Sequence, residues 1–377
     1  MTYAKELAEV LKSAADGLKG QHRRVSVALT ALGSELPAED LVMAAHLVSD
    51  EVNAVVIGPK SADGLHHVLS EELPDAHCKM NELFKKNEID AAVTLHYPFP
   101  VGVATITCLV CPATGRKMVL ASTTGSSDTV RIAAMIKNAI SGIALAKALG
   151  VEKPTVGILN IDNAPSVERA LNKLANNGYS LTWAGSHRAD GGALMRGNDL
   201  IQGTPDVMVC DSLTGNLLVK LWSASQSGGN IETVGCGYGV GLGLEQKNPI
   251  VIISRASGIP VIAEAMRFCG KIVAGNVMQR WQDEWQSANQ AGLAEILKEL
   301  QVAPISNPSS ESIKMPEKTV VSEEIHGIDI LEIEDAKSTL WQEGIYAETG
   351  MGCTGPVVMV NPATLDQAKI ALKRFLA

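Results

Sequence analysis

No apolar run in this sequence reaches the roughly 18 uncharged residues that a membrane span requires, so a transmembrane helix is excluded. Basic residues are in deficit, 32 against 41 acidic ones, and the net charge of -9 repels nucleic acid and anionic lipid at long range. Neither is expected as a partner. Met1 to Gly20 reads as a charged helix rather than a signal peptide, so a cytoplasmic protein is expected. The seven cysteines (78, 108, 111, 210, 236, 269 and 353) form an odd set without regular spacing, which argues against a disulfide framework and for reduced thiols. Aromatic residues make up only 4%.

What is present is a chain of 377 residues, 46% hydrophobic and with 34 glycines, enough to bury a large core in two or three structural units. Val25 to Leu29 and Ala54 to Ile57 are short apolar runs without polar alternation, each followed by a helical pattern that begins near Pro37 or Ser61. The rhythm continues with strands expected at Asp90 to Leu95, Lys117 to Ser122, Val156 to Ile161, Asp206 to Cys210 and Ile250 to Arg255. This predicts a doubly wound, mostly parallel α/β sheet over residues 1–301. Residues 302–320, with Ala303-Pro304 and Asn307-Pro308-Ser309-Ser310, read as a linker. Residues 321–377 form a small α+β extension: an acidic segment, a helix through Trp341, a glycine-flanked cysteine, the strand Val357 to Val360 and a last helix capped at Asn361-Pro362 with Leu365, Ala368, Leu372 and Phe375 as its apolar stripe.

In open parallel sheets ligands sit beyond the carboxyl ends of the strands, so the turns there are the place to look for chemistry. Thr123, Thr124, Gly125, Ser126 and Ser127 follow a strand and open a helix expected over Thr129 to Leu149, where hydroxyls and free N–H groups suit an anion; helix capping alone would also explain them. Asp211, Thr214, Gly215 and Asn216 repeat the arrangement after Cys210, with Asp211 either orienting a reacting group or capping a helix. Ser254, Arg255 and Ser257 add a guanidinium suited to bidentate phosphate binding, against the alternative of a surface ion pair. Three such turns at one sheet edge favour inorganic phosphate as a substrate. Gly235 to Gly243 has the glycines of a dinucleotide fingerprint but neither the strand before it nor the acidic residue after it, and reads as a tightly turned loop beside the site.

No metal site and no cofactor are expected. Cys108 and Cys111 have C-x-x-C spacing without a second pair and lie among apolar residues; His66-His67 falls on an expected helix without carboxylates. Cys353 stands apart. Gly350, Gly352 and Gly355 around it remove side-chain bulk and let N–H groups turn toward sulfur, which favours a thiolate nucleophile, although the same glycines would serve a plain turn.

These segments together resemble the alpha-subunit family of component C of the glycine/sarcosine/betaine reductase complex, whose main domain is similar to phosphate acyltransferases. The resemblance rests on Val25-Ser26-Val27-Ala28, on Lys153 to Ile161, on Cys210-Asp211-Ser212-Leu213-Thr214-Gly215-Asn216, on Gly243 to Gly258 and on Gly350-Met351-Gly352-Cys353-Thr354-Gly355-Pro356. It implies a fold akin to phosphate acyltransferases and isopropylmalate dehydrogenase. It also implies that Cys353 takes an acetyl group as a thioester, originating from a carboxymethylated selenoprotein, and releases it as acetyl phosphate. A ketoacyl-synthase-like beta subunit is the implied partner, with room for a homodimer inside a hetero-oligomer. The loop Leu29 to Glu35 lacks the acidic, Gly-Gly-containing sequence of plain phosphate acyltransferases, which sets it apart from enzymes of long acyl chains. A stand-alone acyltransferase using acyl carrier protein or coenzyme A thioesters is the rival enzyme, and a silent scaffold for the beta subunit the rival outside catalysis.

Overall fold

In a computed structural model the described residues are 11, 24–60, 63–187, 191–301, 315–326, 328, 333–352 and 355–376. Apolar runs without alternation become strands buried on both faces: β1 (Ser26–Thr30), β2 (Asn53–Gly58) and β4 (Ala91–Thr94) pair in parallel, with α1 (Ala38–His46) between the first two. β3 (His66–Leu69) extends this half at its edge and β12 (Ile250–Ile252) on the inner side. The other parallel half is β6 (Lys117–Ser126), β10 (Val207–Val209), β7 (Thr155–Leu159) and β8 (Thr182–Trp183), with β9 (Leu194–Met195) also on β7. Between the halves lie β11 (Gly239–Leu242) and β5 (Val103–Val110), giving the order β3-β2-β1-β4-β12-β11-β5-β6-β10-β7-β8. The steps β12 to β11, β11 to β5 and β5 to β6 are all antiparallel, so the two parallel halves run in opposite senses.

Helices cover both faces. α2 (Leu73–Lys85) packs on β1 and β2, and α3 (Arg131–Ala148) is buried along most of its length against β6, β10 and α8 (Val277–Gln290). α4 (Ala164–Asn176), α5 (Gly197–Gln202), α6 (Ser212–Ala224), α7 (Ile259–Ala274) and α9 (Leu293–Gln301) complete this body. The mostly parallel α/β sheet expected from the sequence is thus present, and α1 starts directly after Pro37 as expected.

Three local expectations are corrected. Ser61 and Ala62 lie outside the described residues, and from residue 63 onward the expected helix is absent among the described residues; His66 and His67 lie on the edge strand β3, where pairing with Val55 and Val56 decides the conformation, and the first helix after them starts at Leu73. The glycine run is a loop only in part, because Gly239 to Leu242 is the antiparallel strand β11. Its glycines answer to crowding: a Cβ on Gly239, which sits at φ +93, would lie 2.0 Å from the Ile106 carbonyl oxygen, and one on Gly241 would lie 2.4 Å from the Phe99 ring. Finally, β6 runs on to Ser126, and the helix behind it covers Arg131–Ala148 rather than starting at Thr129. The β5–β6 register jumps between Thr105↔Thr124 and Ile106↔Ala121, so Ser122 and Thr123 bulge out of the ladder.

The C-terminal part has a second sheet, β13 (Glu323–Ile325), β15 (Gly355–Val360) and β14 (Ala347–Gly352), backed by α10 (Ile333–Gln342) and α11 (Leu365–Ala371). Its own core includes Ile333, Leu340, Val358, Val360, Ala368 and Leu372. Asn361 caps the turn at Pro362 by accepting the Ala363 N–H at 2.9 Å, and Leu365 and Phe375 pack partly buried on this core. An antiparallel bridge between Pro100 and Gly350 joins this sheet to the main body.

Candidate active site

The segments that follow β4, β10 and β12, with the end of β6, line one cleft of about 1580 Å³. Because the two parallel halves run in opposite senses, these turns meet across a cleft and do not share one sheet edge as the sequence suggests. The structure brings the three turns singled out above to its walls: Thr123 to Ser127, Asp211 with Asn216, and Ser254 with Arg255 all line it. Thr214, Gly215 and Ser257 do not line it, and each has a visible structural task. Thr214 donates its hydroxyl to Asp211 at 2.7 Å, Ser257 donates to Glu232 at 2.9 Å, and Gly215 lets α6 approach β6 so closely that a Cβ would fall 1.8 Å from the Ser122 carbonyl oxygen.

On the β6 wall the hydroxyls mainly hold one another. Thr123 is fully buried, donates to the Tyr238 carbonyl and shares Thr105 Oγ1 with Thr124, at 2.8 and 2.9 Å respectively. Ser126 donates to the Asp128 carbonyl at 2.6 Å; Ser127 bonds Asn138 Oδ1 at 2.7 Å and the Ala134 carbonyl at 3.0 Å. Gly125 sits at φ +75 with no room for a side chain beside the Val103 carbonyl. This wall therefore presents a fixed backbone more than free hydroxyls. Asp128 caps the entry to α3 through the Val130 N–H at 2.9 Å and pairs with Lys137 at 2.6 Å.

Asp211 caps α6, accepting the Thr214 N–H at 3.0 Å, and pairs with Arg131 at 3.1 Å. Burial acts to raise its carboxyl pKa, and the bonds from Thr214 and Arg131 outweigh it, holding the group below the usual carboxylate range and ionised. Asn216 and Lys220 follow on one face of α6, four residues apart, and both line the cleft. Across from them Arg255 is exposed; its carbonyl accepts the Glu35 N–H at 2.8 Å and the Ser34 hydroxyl at 3.2 Å, and its guanidinium has no ion-pair partner among the described residues. The N-termini of α3 and α6 lie in the segments that line the cleft, adding the positive ends of two helix dipoles to Arg131, Lys220 and Arg255. The arrangement suits an anion.

The fourth wall was not foreseen from the sequence. After β4 come Leu95, His96, Tyr97 and Phe99, with Tyr97 packed 5.0 Å from Phe99 and 5.4 Å from His77, ring centre to ring centre. Burial lowers the His96 pKa, while Glu324 of the second sheet acts to raise it. Ile328 and Pro356 of the C-terminal part line the cleft as well. Gly352 pairs with Gly355 at the end of the β14–β15 hairpin, and Cys353 and Thr354 lie outside the described residues.

Lys220 had a sequence signal in its spacing from Asn216. Tyr97, Glu232 and Tyr238 had none, because only the fold brings them to this wall. Among the described residues no cluster of His, Cys, Asp and Glu is arranged to hold a metal ion. Burial pushes Cys108 up to about 12 and Cys111 up to about 11, which keeps both as thiols at neutral pH.

Comparison with known proteins bears on this geometry. The fatty acid synthesis protein family matches residues 25–359, a span that includes Cys353. The alpha subunit of glycine/sarcosine/betaine reductase complex component C from Peptoclostridium acidaminophilum is 47% identical over 353 residues, 93% of this chain and 92% of that one. A phosphate acyltransferase from Thermotoga petrophila is 25% identical over 233 residues, 52% of this chain and 67% of its own. A crystal structure of a branched-chain phosphotransacylase from Enterococcus faecalis superposes with a TM-score of 0.48 at 16% identity, covering 66% of this chain and 99% of that chain. The chain therefore belongs to the fatty acid synthesis protein family and, within it, is similar over nearly its whole length to the component C alpha subunit.

Proposed function

We propose that this chain carries an acetyl group as a thioester on Cys353 and transfers it to inorganic phosphate. An oxygen of phosphate attacks the thioester carbonyl, the carbon–oxygen bond forms as the carbon–sulfur bond breaks, and Cys353 leaves as a thiolate while acetyl phosphate departs. Arg255, Lys220, Asn216 and the helix N-termini hold the phosphate; residues 1–301 supply them, residues 302–320 act as the linker and residues 321–377 bring the acyl carrier. Holding both reactants in line contributes about 7 to 11 kcal/mol in the best cases. The observation that carries this is the position of Pro356, three residues after Cys353, in the lining of the cleft that Arg255 and Lys220 share. Upstream, the acetyl group derives from a carboxymethylated selenoprotein, with a ketoacyl-synthase-like beta subunit as partner; the relative's name supports membership of a reductase complex and no more than that.

Incubation of the purified chain with acetyl phosphate, with and without the beta subunit, runs the step in reverse. Intact mass is expected to show one acetyl group, removed by hydroxylamine and missing in Cys353→Ala. No acetylated cysteine under either condition would overturn the proposal. Several relatives are phosphate acyltransferases, which favours a second reading in which the chain acts on a free thioester substrate. Arsenate-dependent breakdown of acetyl phosphate that survives Cys353→Ala would select it.

A further inference from the structure

The turn that carries Arg255 is clamped by a residue 23 positions earlier in the sequence, Glu232, whose side chain lies in the cleft wall and is buried, 3% exposed. Glu232 makes four hydrogen bonds here, three of them to the turn and the fourth to Tyr238. Its N–H donates to the Ala256 carbonyl at 2.9 Å, and its carbonyl accepts the Gly258 N–H at 2.8 Å. One carboxylate oxygen accepts the Ser257 hydroxyl at 2.9 Å, and the other accepts the Tyr238 hydroxyl at 2.9 Å. Ser257 in turn accepts the Ser254 N–H at 3.0 Å, and Ser254 accepts the Ala256 N–H at 3.1 Å, so the bonds run on to both neighbours of Arg255. No cation pairs with Glu232 among the described residues, and a carboxylate this buried is tolerable only because its partners stay in place.

We infer that Glu232 is a positioning residue for anion binding: through Ser257 it fixes the Ser254–Ser257 turn so that the Arg255 guanidinium is held toward the cleft before phosphate arrives. The carboxylate itself does not touch the anion, which its own charge would repel. Tyr238 holds the second oxygen and keeps the carboxylate facing Ser257. Preorganising the turn removes the ordering cost that a free arginine loop would meet on binding. This rests on the phosphate reading of the cleft given above.

The test is calorimetric titration of the full chain with inorganic phosphate, with each variant's thermal midpoint recorded as a folding check. Ser257→Ala cuts the link to Ser254 while leaving Glu232 bonded to Tyr238. It is expected to weaken phosphate binding about tenfold, the scale of one buried hydrogen bond. Added to Arg255→Ala it should have no further effect, because the clamp acts only through that arginine. Glu232→Gln, which can accept one hydroxyl through Oε1 and donate its amide N–H to the oxygen of the other, should bind within about threefold of the wild type, whereas Glu232→Ala should match Ser257→Ala. If Arg255→Ala loses phosphate while Ser257→Ala and Glu232→Ala bind as the wild type does, or if the double variant loses affinity additively, the positioning role is wrong and the phosphate site stands. Phosphate binding that is unmeasurable in the wild type, or indifferent to Arg255→Ala, overturns both.

Discussion

His77 shows how strongly a single position can depend on its surroundings. It is partly buried against Tyr97, with Nε2 3.0 Å from the Thr94 hydroxyl, and burial, followed by the neighbouring His96, lowers its pKa from 6.5 to about 4. Above pH 6.5 it is neutral whether the chain is folded or not, and it adds no pH dependence. Between 6.5 and about 4 the unfolded chain takes up a proton that the folded one refuses, so stability falls as the pH falls through that window. His77→Gln removes the titration. Its urea midpoint is expected to drop less than that of the wild type between pH 7 and about pH 4.5. Parallel curves for the two proteins would discount the burial argument. Nothing in the sequence around His77 marks it. Arg255 and Asp211, by contrast, stood out in advance because each follows an apolar strand and precedes a helix, a pattern visible without coordinates.

Among the elements, the junction of α6 with β6 sets the geometry of the cleft. Gly215 brings the first turn of α6 against the bulge at Ser122, and the strain of any larger residue would fall on backbone, which cannot rotate away. Gly215→Ala should therefore cost about 1 to 3 kcal/mol, or more, as overpacking does. An unchanged denaturant midpoint for that variant would contradict the placement of α6. The same physics explains why the glycine run reads as a loop in sequence. Only Val240 and Leu242 in β11 carry a strand-like signal, and its glycines exist because β5 and Phe99 press on them from outside the segment. The edge strand β3 escaped for a related reason, since His66 and His67 are strand-like only through their pairing with β2.

At the scale of the whole molecule, what matters is that the second sheet touches the main body at the cleft. The Pro100–Gly350 bridge places two backbones as antiparallel partners, whose Cα atoms lie about 4.5 to 5.5 Å apart, within the range a disulfide can span. Pro100→Cys with Gly350→Cys is accordingly expected to cross-link under mild oxidation, seen as a mobility shift on a non-reducing gel that dithiothreitol reverses. On the proposed function the locked protein should still acquire the acetyl label at Cys353, because the docked arrangement is the one in which Pro356 lines the cleft with Arg255 and Lys220. Loss of the label on oxidation, with recovery on reduction, would mean instead that the C-terminal part must leave the body for the acyl group to be loaded.

The alternation of buried strands and helices, the cysteine flanked by glycines and the three turns rich in hydroxyl, amide and guanidinium side chains are properties of consecutive residues, and the sequence by itself determined them. Which of those side chains remain free for a ligand was a matter of tertiary structure. Thr123, Thr124, Ser126 and Ser127 look alike in sequence to a phosphate cradle, yet their hydroxyls are taken up by Thr105, Tyr238, Asp128 and Asn138, partners as far as 115 positions away. Arg255 and Lys220 remain unpaired at the cleft among the described residues, and Glu232 reaches the turn it holds through a loop with no pattern of its own. Local order follows from the chain's neighbours in sequence; hydrogen-bond partners and close approach are set by which strands meet in the sheet.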